Sequence, residues 1–187
     1  MDGFSRLACG GCPPLADLML SMAAEFRLVD EPAAEERLDD LARALFGLDE
    51  RTAASALAGE LGSFEPERKS VGGLWLDRVL AERAGHPLVL AAIAAEAGRR
   101  AGLAIHVLST STGWYAGLAD GERMWLIDTT MDGRRVDAWH LRRHCSHEVA
   151  FAALLGLSDR YERLGDARGA ARAALLRQQL PLLRRSH

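Results

Sequence analysis

Cys9 and Cys12 stand in a C-x-x-C spacing near the start of the chain, and His140, His144, Cys145 and His147 crowd together far downstream. A dithiol redox site of this spacing needs a strand before it and a helix opening at it. The few residues before Cys9 leave no room for that strand. Zinc needs about four ligands, usually as two close pairs. Here the second pair would have to come from His140, His144, Cys145 and His147, with no second C-x-x-C. The expectation is therefore a flexible arm with two free thiols and no cofactor. A metal set built on Cys9, Cys12, His140 and His144 is the alternative. His140 and His144 also share the i, i+4 spacing of the H-E-x-x-H arrangement, but Leu141 takes the place of its glutamate, which excludes hydrolysis by that route. Glu148 continues the same helical face, and Arg142 and Arg143 make it read as a solvated helix. Cys145 reads as a small, partly buried thiol, with a displaced nucleophile as its chemical alternative.

These residues must be positioned by a chain of 187 residues, long enough for one domain with an appended subdomain. Hydrophobic residues make up 49% and charged residues 26%, which excludes wholesale disorder. The formal net charge of -3 argues against a nucleic-acid binder, and Arg184-Arg185 is too short a basic run to reverse that. An odd number of cysteines gives no disulfide framework and suits a reducing compartment. No apolar run reaches membrane-spanning length, and no basic region with an apolar stretch opens the chain. The expectation is a soluble, cytoplasmic protein.

Residues 1–14 read as a loose arm, with Gly10, Gly11, Pro13 and Pro14 breaking regular structure. Residues 15–73 read as a helical region. Leu15, Leu18, Met19, Met22 and Phe26 carry one helix to Leu28. A second opens at Pro32, buries Leu38, Leu41, Leu45 and Phe46, and stops at Gly47. Asp49 caps a third through Leu57 and Leu61, and residues 62–73 are a connector. A core follows over 74–137. Its fourth helix presents Trp75, Leu76, Val79 and Leu80 and ends at Gly85. The fifth starts with Pro87 and runs to Gly102, alanine-rich around much of its circumference, and should therefore lie centrally.

Alternation of Leu103, Ile105 and Val107 then signals a strand. Residues 114–119 and 123–129 give two more, joined at Asp120-Gly121. Asp132-Gly133 marks a turn toward a short strand at Arg135-Val136. Residues 138–187 read as helical again: 138–144, 146–155, 158–164 and 167–180. The order gives an α+β fold, with N-terminal helices, a central helix packed on a small antiparallel sheet, and C-terminal helices. A small sheet is marginal alone, so the central helix must cover one of its faces.

In this frame the segment Trp75-Leu76-Asp77-Arg78-Val79-Leu80-Ala81-Glu82-Arg83-Ala84-Gly85-His86-Pro87 resembles the "SYLNRVLERRxGIP" signature of SirB-type proteins, a branch of the transglutaminase-like superfamily. Glu96-Ala97-Gly98-Arg99-Arg100-Ala101-Gly102-Leu103 is similar to that family's "EVARRLGL". Thr112-Gly113-Trp114-Tyr115 falls at its "PGHF", Trp125-Leu126-Ile127-Asp128 at its "IDPF", and Asp132-Gly133-Arg134 at its "GGR". Tyr161-Glu162-Arg163-Leu164-Gly165-Asp166, with Ala170 and Ala174, resembles half of a tetratricopeptide repeat, which here would pack on the core as a cap.

The resemblance implies a Cys-His-Asp arrangement, with the cysteine opening the central helix, where the helix dipole lowers a thiol's pKa. Counting back from Gly102 puts Pro87 at the cysteine position and Trp114 at the histidine position. Only Asp128 matches. Pro87 offers no nucleophile and Trp114 accepts no proton, so the expectation is a non-catalytic binding or scaffolding protein of bacterial cytoplasm. Its partner would be a protein or peptide rather than nucleic acid or membrane. Trp75, His86 and Tyr115 are candidates to line the old groove beside Trp114 and Asp128. Gly73-Leu74 replaces the family's Asn-Ser and removes polar groups there. The alternative is a cysteine-dependent or metal-assisted hydrolase or transferase using Cys145 or the His140/His144 pair.

Overall fold

Asp30 and Asp49 start their helices as their residue type predicts: Asp30 accepts from the Ala33 N–H, and Asp49 from those of Arg51 and Thr52. The computed structural model describes residues 3–9, 11–111, 113–120, 123–127 and 141–181, with the backbone alone at 119, 120 and 123–125. The helices are α1 (Gly3–Ala8), α2 (Leu15–Ala24), α3 (Glu31–Arg43), α4 (Glu50–Gly62), α5 (Leu76–Glu82), α6 (Pro87–Arg100), α7 (Ser146–Arg163) and α8 (Ala167–Gln179). The strands are β1 (Glu65–Pro66), β2 (Ala84–Gly85), β3 (Ile105–Ser109), β4 (Trp114–Asp120), β5 (Arg123–Ile127) and β6 (Arg142–His144). This is the α+β architecture expected.

β1 and β2 form a short parallel pair, while the main sheet runs in the order β5-β4-β3-β6, antiparallel throughout. Helix α6 packs against β3 and β4 and is buried without interruption from Pro87 to Gly98. The alanine-rich circumference allows that: small side chains let the sheet, α3 and α7 approach on different sides. At Gly98 the approach is so close that a Cβ would lie 2.6 Å from the Ile105 side chain. Leu90 and Ile93 on α6 are fully buried with Leu18, Met19 and Met22 of α2. Each such side chain contributes about 1.5–3 kcal/mol by leaving water.

Several local expectations give way to tertiary packing. The breaker-rich arm contains α1, because Phe4 and Ala8 fall one turn apart and are both fully buried, with α2 and α8 alongside. Phe46 lies past the end of α3 and is 58% exposed instead of buried. The helix expected over 138–144 is replaced, in its described part, by β6: Arg142–His144 pair with Val107–Ser109 along an open sheet edge, which satisfies their main chain better than a short exposed helix would. The two helices expected over 146–164 are one, α7, and Gly156 sits inside it. A Cβ there would stand 3.1 Å from Leu74, so this glycine serves close packing and breaks nothing. The α7–α8 hairpin covers the core, with Ala173, Leu176 and Leu180 buried in it. Asp128, Asp132-Gly133, Arg135-Val136 and His140 lie outside the described residues.

Candidate functional site

The start of α6 is held from three sides by the main chain. Glu65 N–H donates to Arg83 O, Glu67 N–H to Gly85 O and His86 N–H to Gly73 O, each at 2.8 Å. Pro87 takes the first helical position, where its missing N–H costs nothing, and is buried. His86 caps the helix: its Nδ1 accepts the Leu88 N–H at 3.2 Å. Burial, then the nearby cations of Arg160 and Arg68, push the imidazole down to about pKa 4, against the opposing pull of Glu67. At neutral pH this ring is uncharged and its acceptor nitrogen is occupied. Gly73 fits the same corner because a Cβ there would meet Glu67 Oε2 at 2.7 Å and the Glu67 carbonyl at 3.1 Å.

The expected groove residues separate. Trp75 is 2% exposed, with its ring 5.1 Å from that of Phe26, so it belongs to the core. Trp114 and Tyr115 are consecutive on β4 and so point to opposite faces of the sheet. They therefore cannot wall one groove together. Trp114 lines a pocket of about 390 Å³ with Ser109, His144, His147 and Phe151. The acid position, Asp128, and the metal candidate His140 are not described.

His144 packs against Trp114 with ring centroids 4.7 Å apart and the ring planes tilted by 50°. Its Nε2 lies 2.7 Å from Ser109 Oγ, and its Nδ1 3.8 Å from Glu148 Oε2. Hydroxyl, imidazole and carboxylate thus follow one another in the order of a proton relay. The last step is longer than a hydrogen bond. Glu148 is also committed elsewhere, accepting from Arg142 at 2.6 Å and from the Cys145 N–H at 3.1 Å. Burial raises the Glu148 carboxyl, but these donors outweigh it and hold it below the usual range. The carboxylate thus closes a capping box on α7. Ser109 had no signal in the sequence, since its partner comes from a strand 35 residues away.

A second cluster joins the two ends of the chain. The ligating atoms of Cys12, Cys145 and His147 all lie within 4.8 Å of one another. Cys12 Sγ is 3.8 Å from His147 Nδ1, and His147 Nε2 faces the Leu7 carbonyl at 3.4 Å. Ser146 Oγ donates to Pro13 O at 2.7 Å and pins the arm to the start of α7. Of the residues the sequence offered as ligands, the structure brings together Cys12, Cys145 and His147, while His140 lies outside the described residues. Among the described residues, the cluster contains neither Cys9 nor His144, which is turned toward Ser109. Cys145 stands at the N-terminal cap of α7, where a dipole favours thiolate. Burial, together with the adjacent Cys12 and Glu148, nevertheless pushes its thiol up.

Cys12 and Cys145 open onto a cleft of about 780 Å³, whose walls include Glu96, Arg99, His106 and Arg143. The family model described as "Transglutaminase-like superfamily" matches residues 15–161, from α2 nearly to the end of α7. No curated relative and no solved structure matches the chain.

Proposed function

The chain belongs to the transglutaminase-like superfamily, and from that premise we propose that it is a SirB-type member that binds a protein or peptide and performs no acyl transfer. The observation that carries this reading is the head of α6. The position where the superfamily's chemistry would put a thiol is a buried proline, and the adjacent imidazole spends its lone pair on the Leu88 N–H. A nucleophile and a proton acceptor are both required for the acyl-transfer cycle. The indole of Trp114 supplies neither.

The binding surface in this reading is the 780 Å³ cleft, where Arg99 and Arg143 offer donors to a carboxylate or a peptide carbonyl. A near-neutral net charge disfavours nucleic acid as the partner. Among the described residues no helix is long and apolar enough to cross a membrane. The free thiols of Cys9, Cys12 and Cys145 suit a bacterial cytoplasm.

The test incubates purified full-length protein with a glutamine peptide and a fluorescent primary amine, with peptide and ester substrates, and with a serine-directed fluorophosphonate probe. No turnover and no labelling are expected. Turnover that disappears in Asp128→Ala, or labelling of Ser109, would overturn the reading. On a peptide array, binding is expected to weaken about tenfold in Arg143→Glu, on the scale of one lost charged contact.

A further inference from the structure

We propose that Cys12, Cys145 and His147 form a zinc-binding site that staples the N-terminal arm to the start of α7. The inference stands apart from the proposed function and holds whether or not the cleft binds a peptide.

Zinc holds thiolate sulfur at about 2.3 Å and imidazole nitrogen at about 2.0–2.1 Å in a tetrahedron, so neighbouring donor atoms stand roughly 3.5–3.8 Å apart. The Cys12 Sγ to His147 Nδ1 distance of 3.8 Å already matches such an edge. The third donor, Cys145 Sγ, lies within 4.8 Å of both. Closing on a metal therefore asks for side-chain adjustments of an ångström or less.

The histidine is oriented for the role. A metal-bound imidazole ordinarily gives its other N–H to a carbonyl or carboxylate, which fixes the tautomer. His147 is 4% exposed and directs Nε2 at the Leu7 carbonyl, 3.4 Å away, which leaves the Nδ1 lone pair facing the two sulfurs. Two thiols and an imidazole form a soft, nitrogen- and sulfur-rich set that favours zinc over magnesium or calcium. Cys12 and Cys145 also line the 780 Å³ cleft, which leaves a fourth position to water or another small donor. Binding would exchange the Cys12 and Cys145 thiol protons for the cation and leave both sulfurs as thiolates.

The arrangement also has a structural logic. Cys12 follows α1 on a segment without regular structure, while Cys145 caps an 18-residue helix and His147 sits on its first turn. A metal bridging them would close a loop spanning most of the chain.

The experiment uses untagged full-length protein, reduced and stripped of metal, titrated with Zn²⁺ against a chromophoric chelator and separately with Co²⁺. One ion per chain is expected, with the intense visible bands and thiolate charge transfer of tetrahedral cobalt. Of the three cysteines, zinc should protect Cys12 and Cys145 from alkylation and leave Cys9 reactive. Cys12→Ser and His147→Asn should each weaken zinc binding at least 100-fold, and Cys9→Ser should not. Cys12 is exposed, so its variant keeps the fold if His147→Asn does not. Equal reactivity of all three thiols under zinc would overturn the site. So would unchanged affinity in Cys12→Ser, equal losses in Cys9→Ser and Cys12→Ser, or a Cys12–Cys145 disulfide in air with no zinc uptake when reduced.

Discussion

The Nδ1 atom of His86 accepts the Leu88 N–H across 3.2 Å, so the imidazole at the head of α6 caps the helix. The same ring is buried beside two arginines, and that setting bears on how the protein responds to acid.

Burial first, then Arg160 and Arg68, lower the His86 pKa from 6.5 to about 4. Between those values the unfolded chain binds the proton and the folded one does not. The stabilisation is therefore complete above pH 6.5 and is lost as pH falls toward 4. His106 shifts in the same direction through burial and Arg143. Thermal melts between pH 6.5 and 5 report on the histidines, because the carboxylates are still largely ionised there. Tm should fall across that window in the native protein and fall less in His86→Asn, which keeps an acceptor for the cap. Parallel slopes would contradict the assignment.

Gly98 and Gly59 make a matched pair. Both lie inside helices, α6 and α4, but a Cβ at 98 meets three atoms of Ile105 at 2.6–2.8 Å, while one at 59 meets nothing within 4 Å. Alanine gains about 1 kcal/mol of helix propensity over glycine at either site. Overpacking costs about 1–3 kcal/mol at the first. Denaturant melts should show Gly59→Ala stabilised by up to about 1 kcal/mol and Gly98→Ala destabilised by up to about 2 kcal/mol.

Glu96 is 1% exposed and accepts from Arg99 at 2.6 Å and from Arg100 at 3.1 Å. Arg100 also reaches Glu35 and Asp39 on α3, so the network docks α3 onto α6. Burial raises the Glu96 carboxyl, but the two arginines outweigh it and hold it below 4.5. Its stabilisation is present above pH 4.5 and disappears as pH falls through the lowered value. Glu96→Gln should cost about 3 kcal/mol at pH 7, the scale of breaking a buried pair. That difference should shrink at pH 3. A constant difference would show that shape, not charge, makes the site.

Gly169 faces Tyr161 so closely that a Cβ would lie 2.7 Å from its ring, and Tyr161 in turn stacks on Phe26 at 5.8 Å. Gly169→Ala should displace the tyrosine and loosen the α7–α8 cap. Amide exchange is expected to quicken in α8 before it changes in α6. Uniform change along the chain would contradict a local cap.

Local chemistry determined much of this protein. Asp49, Pro32 and Pro87 announce helix starts because capping and a fixed φ depend on one or two residues. The alanine-rich stretch from Pro87 announces a central helix, and the Ile105–Val107 alternation announces the strand it covers. Tertiary structure decided the rest. Phe4 makes α1 only because α2 and α8 offer it a surface, and residues 142–144 become a strand only because β3 leaves an edge unpaired. Ser109 finds His144, and Cys12 finds Cys145 and His147, across sequence separations that no local pattern records. Spacing along a chain specifies neighbours within a turn or two, whereas a site is built from side chains that meet only after the core has closed.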